Sequence, residues 1–237
     1  MSAGRVVICA DEEDLARRAA AWIARRIARA VEARGRCTLA LSGGSTPRPV
    51  YEELARSGAA GTVQWNAVDL YVGDERCVPL DDPQSNSRMI AESLAPAIAA
   101  GARLHRMQAA PEDRDAAAAD YAACLPEALD ILLLGVGEDG HTASLFPGSP
   151  ALDEQAQRVV AVKGPRPPLW RLTITPRVIA SAREIAVLVT GRAKAGAVAR
   201  ALAETGSIRD VPARLARRGT WFLDAAAAGE LARARPT

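Results

Sequence analysis

Short unbroken apolar runs alternate along the chain with longer stretches in which apolar residues return every three or four positions. An unbroken run bounded by glycine or polar residues predicts a strand buried on both faces. The wider spacing predicts a helix with one apolar face. Strands are predicted at Arg5–Ala10, Cys37–Leu41, Val68–Val72, Ile131–Leu134, Arg158–Val162, Arg171–Thr175, Glu184–Thr190 and Thr220–Asp224, with a short one at Leu104–Met107. The first helix is the best marked. Asp11 stands as its N-cap, Glu12, Glu13 and Asp14 favour its positive end, and Gly35 stops it. Leu15, Ala19, Trp22, Ile23, Ile27, Ala30 and Val31 line one face between those signals. Further helices are expected after Pro47, over one stretch carrying Met89, Ile90, Leu94 and Ile98, and over residues 112 to 124. Others should start at Thr175-Pro176 and at Gly191-Arg-Ala-Lys194, with a short alanine-rich one after Asp224. Strands alternating with helices make this an α/β chain, with a mainly parallel twisted sheet and helices on both faces. No internal repeat, linker or charge block divides residues 1–237, which are expected to form one domain.

Composition narrows the classes. The 237 residues are 49% hydrophobic and 24% charged, but only 4% aromatic, so Leu, Val, Ile and Ala must build the core. Thirty basic residues against 28 acidic ones leave a net charge of +2, too little to suggest a nucleic-acid partner. Cys9, Cys37, Cys77 and Cys124 are scattered without a CxxC pair, which speaks against a disulfide or zinc framework. No signal peptide or membrane-spanning run is expected. The expectation is a cytoplasmic protein acting on a small molecule, with no nucleic-acid or membrane partner, as a monomer or weak homo-oligomer.

Candidate chemistry gathers where predicted strands end. Ile131–Leu134 breaks into Gly135-Val-Gly-Glu-Asp-Gly-His141, and ligands of open α/β sheets sit beyond such carboxyl ends. The glycines formally match GxGxxG. A dinucleotide site also needs a helix opening inside the motif and an acid after the next strand, and both are missing. The glycines are read instead as a sharp turn. It presents His141, able to move a proton near neutral pH, beside Asp139, able to orient or charge-stabilise the ring. His105 lacks such a context and is read as structural. Ser144 lies in no Gly-x-Ser-x-Gly elbow and gains no support as a nucleophile. Neither HExxH nor a Cys/His cluster occurs, so no metal is expected.

A second loop, Ser42, Gly43, Gly44, Ser45 and Thr46, lies between the strand ending at Leu41 and the helix at Pro47. It lacks the Gly-Lys-Ser/Thr of a nucleotide loop, but it suits one phosphate at a helix N-terminus. Lys194, opening the helix after another strand, is expected to add a cation from across the sheet edge. Arg76, in Gly73-Asp-Glu-Arg76 at a third strand end, suits an oxyanion. These strand ends suggest one convergent site, though the sequence does not itself bring them together.

At these residues the chain resembles the 6-phosphogluconolactonases, within the wider glucosamine-6-phosphate isomerase/deaminase superfamily. The resemblance rests on Leu41–Pro47, Val72–Pro79, Asp82–Arg88, Gly135–Pro147, Pro167–Thr173, Gly191–Ala195 and Trp221–Asp224, in that order. It implies a Rossmann-like fold, no cofactor, and hydrolysis of 6-phospho-D-glucono-1,5-lactone in the oxidative pentose phosphate pathway. It also implies His141 as general base with Asp139 as its partner, and Ser42 to Thr46 with Lys194 as the phosphate site. Arg76 and Arg171 join the pocket by the same resemblance, Arg171 toward the phosphate. The nearest alternative is a glucosamine-6-phosphate deaminase or isomerase. Related deaminases carry a Glu shortly after the histidine, whereas here the first carboxylate beyond His141 is Asp153. A non-catalytic sugar-phosphate sensor is the other alternative.

Overall fold

The computed structural model describes residues 4–57, 61–108 and 113–231. In chain order the elements are β1 (Val6–Cys9), α1 (Glu12–Arg34), β2 (Cys37–Leu41), α2 (Pro47–Ser57), β3 (Val68–Val72) and β4 (Asp74–Arg76). Next come α3 (Asn86–Ser93), α4 (Ala95–Ala99), β5 (Arg103–His105), α5 (Arg114–Cys124), β6 (Ile131–Leu134) and β7 (Val159–Lys163). The chain continues with β8 (Trp170–Ile174), α6 (Pro176–Ser181), β9 (Glu184–Val189), α7 (Ala195–Leu202) and β10 (Thr220–Asp224).

Seven strands form one sheet in the order β1-β10-β9-β6-β2-β3-β5, and every pairing in it is parallel. All residues of β2, β3 and β6 are buried. Successive strand side chains point to opposite faces, so this sheet is covered on both. The chain leaves β2 toward β3 on one side and leaves β6 toward β9 on the other. The strand order therefore reverses between β2 and β6, where a crevice opens beyond their carboxyl ends. The loops Ser42–Thr46 and Gly135–His141 both issue from that point.

The limits of β2, β3, β6 and β10 agree with the apolar runs. Other expectations change. A second, antiparallel sheet of order β4-β8-β7 takes β7 and β8 out of the parallel sheet. Its strand Asp74–Arg76 lies where the sequence predicts only the end of β3, because three charged residues carry no apolar period. The single helix expected through Met89 and Ile98 is two, α3 and α4, since Pro96 cannot donate an N–H to continue the first. The short strand near Leu104 starts and ends earlier, at Arg103 and His105. After β10, residues 225–230 form turns and not a helix. Ala227 N–H is taken by the Asp224 carboxylate, and Gly229 and Leu231 make short i→i−3 bonds. So short a segment does not meet the cost of helix nucleation despite its alanines. Of the helix expected over 112 to 124, residue 112 lies outside the described residues and Asp113 caps the rest, accepting from Ala116 N at 3.0 Å. Among the described residues no helix is long and apolar enough to cross a membrane.

Candidate active site

The strands β3, β2, β6 and β9 are neighbours in the sheet, and their carboxyl ends frame one cleft. It encloses about 220 Å³. Drug-sized sites run to roughly 300–1,000 Å³, so this cleft suits a compact ligand and not a dinucleotide. Of the residues singled out from the sequence, Ser42 to Thr46, Arg76, His141, Arg171 and Lys194 line it. Asp139 stands behind His141.

His141 is fixed from two directions. Its Nδ1 lies 2.6 Å from Asp139 Oδ1, and its backbone N–H donates to the same oxygen at 3.0 Å. Burial works to raise the Asp139 carboxyl, but the His141 amide and ring outweigh it and hold the group below its usual range. An ionised carboxylate accepts the Nδ1 proton, which leaves Nε2 as the basic nitrogen. The glycines make room for this arrangement. A Cβ on Gly137 would lie 2.0 Å from the imidazole Nδ1, so only glycine lets the ring fold back over the turn. Gly140 takes φ of +93°, which favours glycine for a different reason. The loop closes when Thr142 Oγ1 donates to Gly135 O at 2.8 Å.

The loop after β2 is held by a buried tyrosine. Ser42 N–H donates to the Tyr51 hydroxyl at 3.0 Å, and that hydroxyl donates to Ser42 O at 2.9 Å. Ser42 Oγ is buried with no hydrogen-bond partner among the described residues. It points to a ligand acceptor, since buried hydroxyls rarely go unpaired. The helix α2 begins directly after the loop, adding the positive end of its dipole. Thr46 and Thr190 share a hydroxyl hydrogen bond of 2.8 Å, which ties this loop to the end of β9. Beyond Thr190, Gly191 N–H donates to both Asp224 oxygens at 3.0 and 3.2 Å, bracing the turn that carries Lys194. Lys194 is half-buried and makes no ion pair among the described residues. It enters from an interior strand of the sheet, not from across an edge as expected.

Arg76 and Arg171 face each other in the β4/β8 register, which puts both side chains on one face of the smaller sheet. Burial pushes the Arg171 guanidinium down from its usual range, and the Arg76 charge pushes it further. Its Nε is buried without a hydrogen-bond partner among the described residues. Two neighbouring cations, one of them incompletely bonded, form a site that an anion relieves.

Sequence reading missed Asp74, Asn86, Thr190 and the bracing role of Tyr51. Asp74 is buried at the cleft wall and accepts from Ser144 Oγ at 2.6 Å, so Ser144 is a structural donor. Asn86 is the first residue of α3, directly after a polar loop, where no periodicity marks it. His105 is structural as expected, stacked on Tyr71 at 4.5 Å with Nε2 3.2 Å from Asp69. The four cysteines are free, and burial pushes the Cys37 thiol up to about 12, so it acts as a small apolar group. Among the described residues no group of three or more His, Cys, Asp or Glu is placed to hold a metal ion.

Most of the chain is similar to proteins of one family. Residues 10–223 match the family model of glucosamine-6-phosphate isomerases/6-phosphogluconolactonase. A 6-phosphogluconolactonase of Streptomyces coelicolor is 39% identical over 97% of this chain and 95% of its own length. One from Synechocystis is 36% identical over 94% of this chain and 96% of its own. Among solved structures, a 6-phosphogluconolactonase from Shewanella baltica superposes with a TM-score of 0.84 at 29% identity, covering 94% of this chain and 98% of that one.

Proposed function

Because this chain belongs to the glucosamine-6-phosphate isomerase/6-phosphogluconolactonase family, we infer that His141 is the general base of its lactone hydrolysis. The reaction is the opening of 6-phospho-D-glucono-1,5-lactone to 6-phosphogluconate, in the pentose phosphate pathway. The observation that carries the assignment of roles is the shared cleft. The Asp139–His141 pair and the Ser42–Thr46 loop leave adjacent strands at the point where the strand order reverses.

A six-membered lactone is an activated ester, so water suffices as the nucleophile. Nε2 of His141 takes a proton from water as its oxygen bonds to C1. The carbonyl oxygen gains the negative charge, and Arg76 stabilises it. When the tetrahedral intermediate collapses, the bond from C1 to the ring oxygen breaks, and the imidazolium returns its proton to that oxygen. Asp139 holds the ring and offsets its positive charge in between. Ser42, Gly43, Gly44, Ser45 and Thr46, with Lys194 and Arg171, take the phosphate. Their grip fixes C1 relative to Nε2, so binding energy far from the carbonyl contributes to the rate. Four free cysteines fit a reducing cytoplasm.

The test generates the lactone in place with glucose-6-phosphate dehydrogenase and follows 6-phosphogluconate. Wild type should speed its appearance, and His141→Ala should lower kcat by roughly 10³-fold. A His141→Ala variant as fast as wild type would overturn the assignment. Ammonia release from glucosamine 6-phosphate would favour the deaminase reading instead.

A further inference from the structure

Asn86 is a buried side chain of the cleft, 3% exposed, to which the reaction above gives no role. It opens α3, and its backbone N–H donates to Glu75 Oε1 at 2.7 Å. The same Glu75 oxygen accepts Arg76 N at 2.8 Å, while Oε2 accepts Ser87 N at 2.7 Å and Ser85 Oγ at 3.1 Å. One buried carboxylate thus pins the start of α3 to β4, and Asn86 with it. At the other end of the residue, Nδ2 donates to Asp74 O at 2.7 Å and Oδ1 accepts from Arg76 Nη1 at 2.7 Å. A flipped amide would set NH₂ against the guanidinium and oxygen against a carbonyl, so these partners fix one orientation. The amide also packs on the phosphate loop, for a Cβ on Gly43 would lie 1.9 Å from Oδ1. Asn86 therefore touches two elements that must keep a set separation.

We propose that Asn86 is a positioning residue, which sets the Arg76 guanidinium relative to the Ser42–Thr46 loop and so keeps the lactone carbonyl in register with the anchored phosphate. This rests on the reading in which Arg76 meets the carbonyl oxygen. Without Asn86, Nη1 of Arg76 keeps, among the described residues, only Gln84 O, at 2.8 Å on an exposed loop. A guanidinium directs its donors as a rigid fork, so losing one bond re-aims the rest. The neutral amide matters as well. A carboxylate in its place would grip Arg76 harder but neutralise the charge that the oxyanion needs.

The experiment is a double-mutant cycle on the full-length protein, with kcat and KM measured for wild type, Asn86→Ala, Arg76→Ala and the double variant. Asn86→Ala should lower kcat roughly tenfold or more, with KM within about threefold. In the Arg76→Ala background the same change should alter kcat by less than about twofold, because its route of action is gone. Losses that multiply in the double variant would overturn the proposal. Asn86→Asp keeps the shape and should lose kcat too, and full activity in that variant would also overturn it. If Asn86→Ala does not fold, the cycle is run with Asn86→Ser, which also withdraws the acceptor from Arg76. A wild-type protein inactive on the lactone removes the underlying reading. Multiplying losses in an active enzyme remove the positioning role alone.

Discussion

Asp139 and His141 have side chains 43% and 34% exposed, so burial does not hold them together. Their bond depends on the turn, which puts both the His141 amide and its ring on one carboxylate oxygen. A charged acceptor matters more at this position than a merely polar one. In Asp139→Asn the side-chain oxygen could still accept from Nδ1. However, its NH₂ could equally donate there, which would move the ring proton to Nε2 and remove the base from the cleft. The variant also loses the charge that offsets the imidazolium. Steady-state kinetics should show kcat falling by about 10²-fold with KM little changed. The melting temperature should hardly move, because a surface substitution of this kind costs within about 0.5 kcal/mol. A large drop in melting temperature with unchanged kcat would make Asp139 a structural residue.

At the scale of elements, the strands that carry the cleft were legible because burial on both faces writes them as unbroken apolar runs. The two glycine loops were legible for a related reason, since each interrupts such a run abruptly. Less legible was anything set by pairing between distant segments. Nothing in Asp74-Glu75-Arg76 announces a strand, and its partner β8 lies nearly a hundred positions on. Arg171 came from the family resemblance, and only the β4/β8 register shows why it stands beside Arg76. Tyr51 is a similar case. Its ring is fully buried in the core, yet its hydroxyl reaches back to both Ser42 backbone groups. Tyr51→Phe keeps the packing and removes those bonds, leaving a buried N–H and C=O at the loop's first residue. Stability should fall by about 1–3 kcal/mol. Because the loop is proposed to hold phosphate, KM should rise several-fold more than kcat falls. Thermal melts and steady-state kinetics check the two parts, and an unchanged KM would detach Tyr51 from substrate binding.

Across the whole molecule, the parallel sheet separates chemistry from stability along the strand direction. The carboxyl ends carry the cleft, while the amino ends of β3 and β6 carry two buried carboxylates, Asp69 and Asp130. Asp130 accepts from Thr38 N at 2.9 Å and pairs with Arg34 at 2.8 Å. Asp69 accepts from Arg36 at 2.7 Å and from Arg103 at 2.8 Å, joining β3 to β5 and to the chain entering β2. Both of its arginines are more than half exposed, so they reach these bonds without leaving water entirely, which limits the desolvation cost of the pairs. Asp69→Asn should therefore cost about 2 kcal/mol at neutral pH. For a chain of this length that corresponds to roughly 4–8 °C in melting temperature. Its kcat/KM at 25 °C should stay near that of wild type, since the substitution lies at the far end of the sheet. The effect should also depend on pH. Burial works to raise the Asp69 carboxyl, but Arg103, His105 and Arg36 outweigh it and hold it below its usual value. The unfolded chain then takes the proton more readily than the folded one. This part of the stability is complete above the unfolded value, near 3.9, and is lost as pH falls through the lower folded value. The gap between the melting curves of wild type and Asp69→Asn should be widest near pH 7 and close on acidification below about pH 4. Curves that stay parallel down to about pH 3 would show that the Asp69 charge contributes nothing, and an equal loss of kcat/KM at neutral pH would show that the two ends of the sheet are not separable.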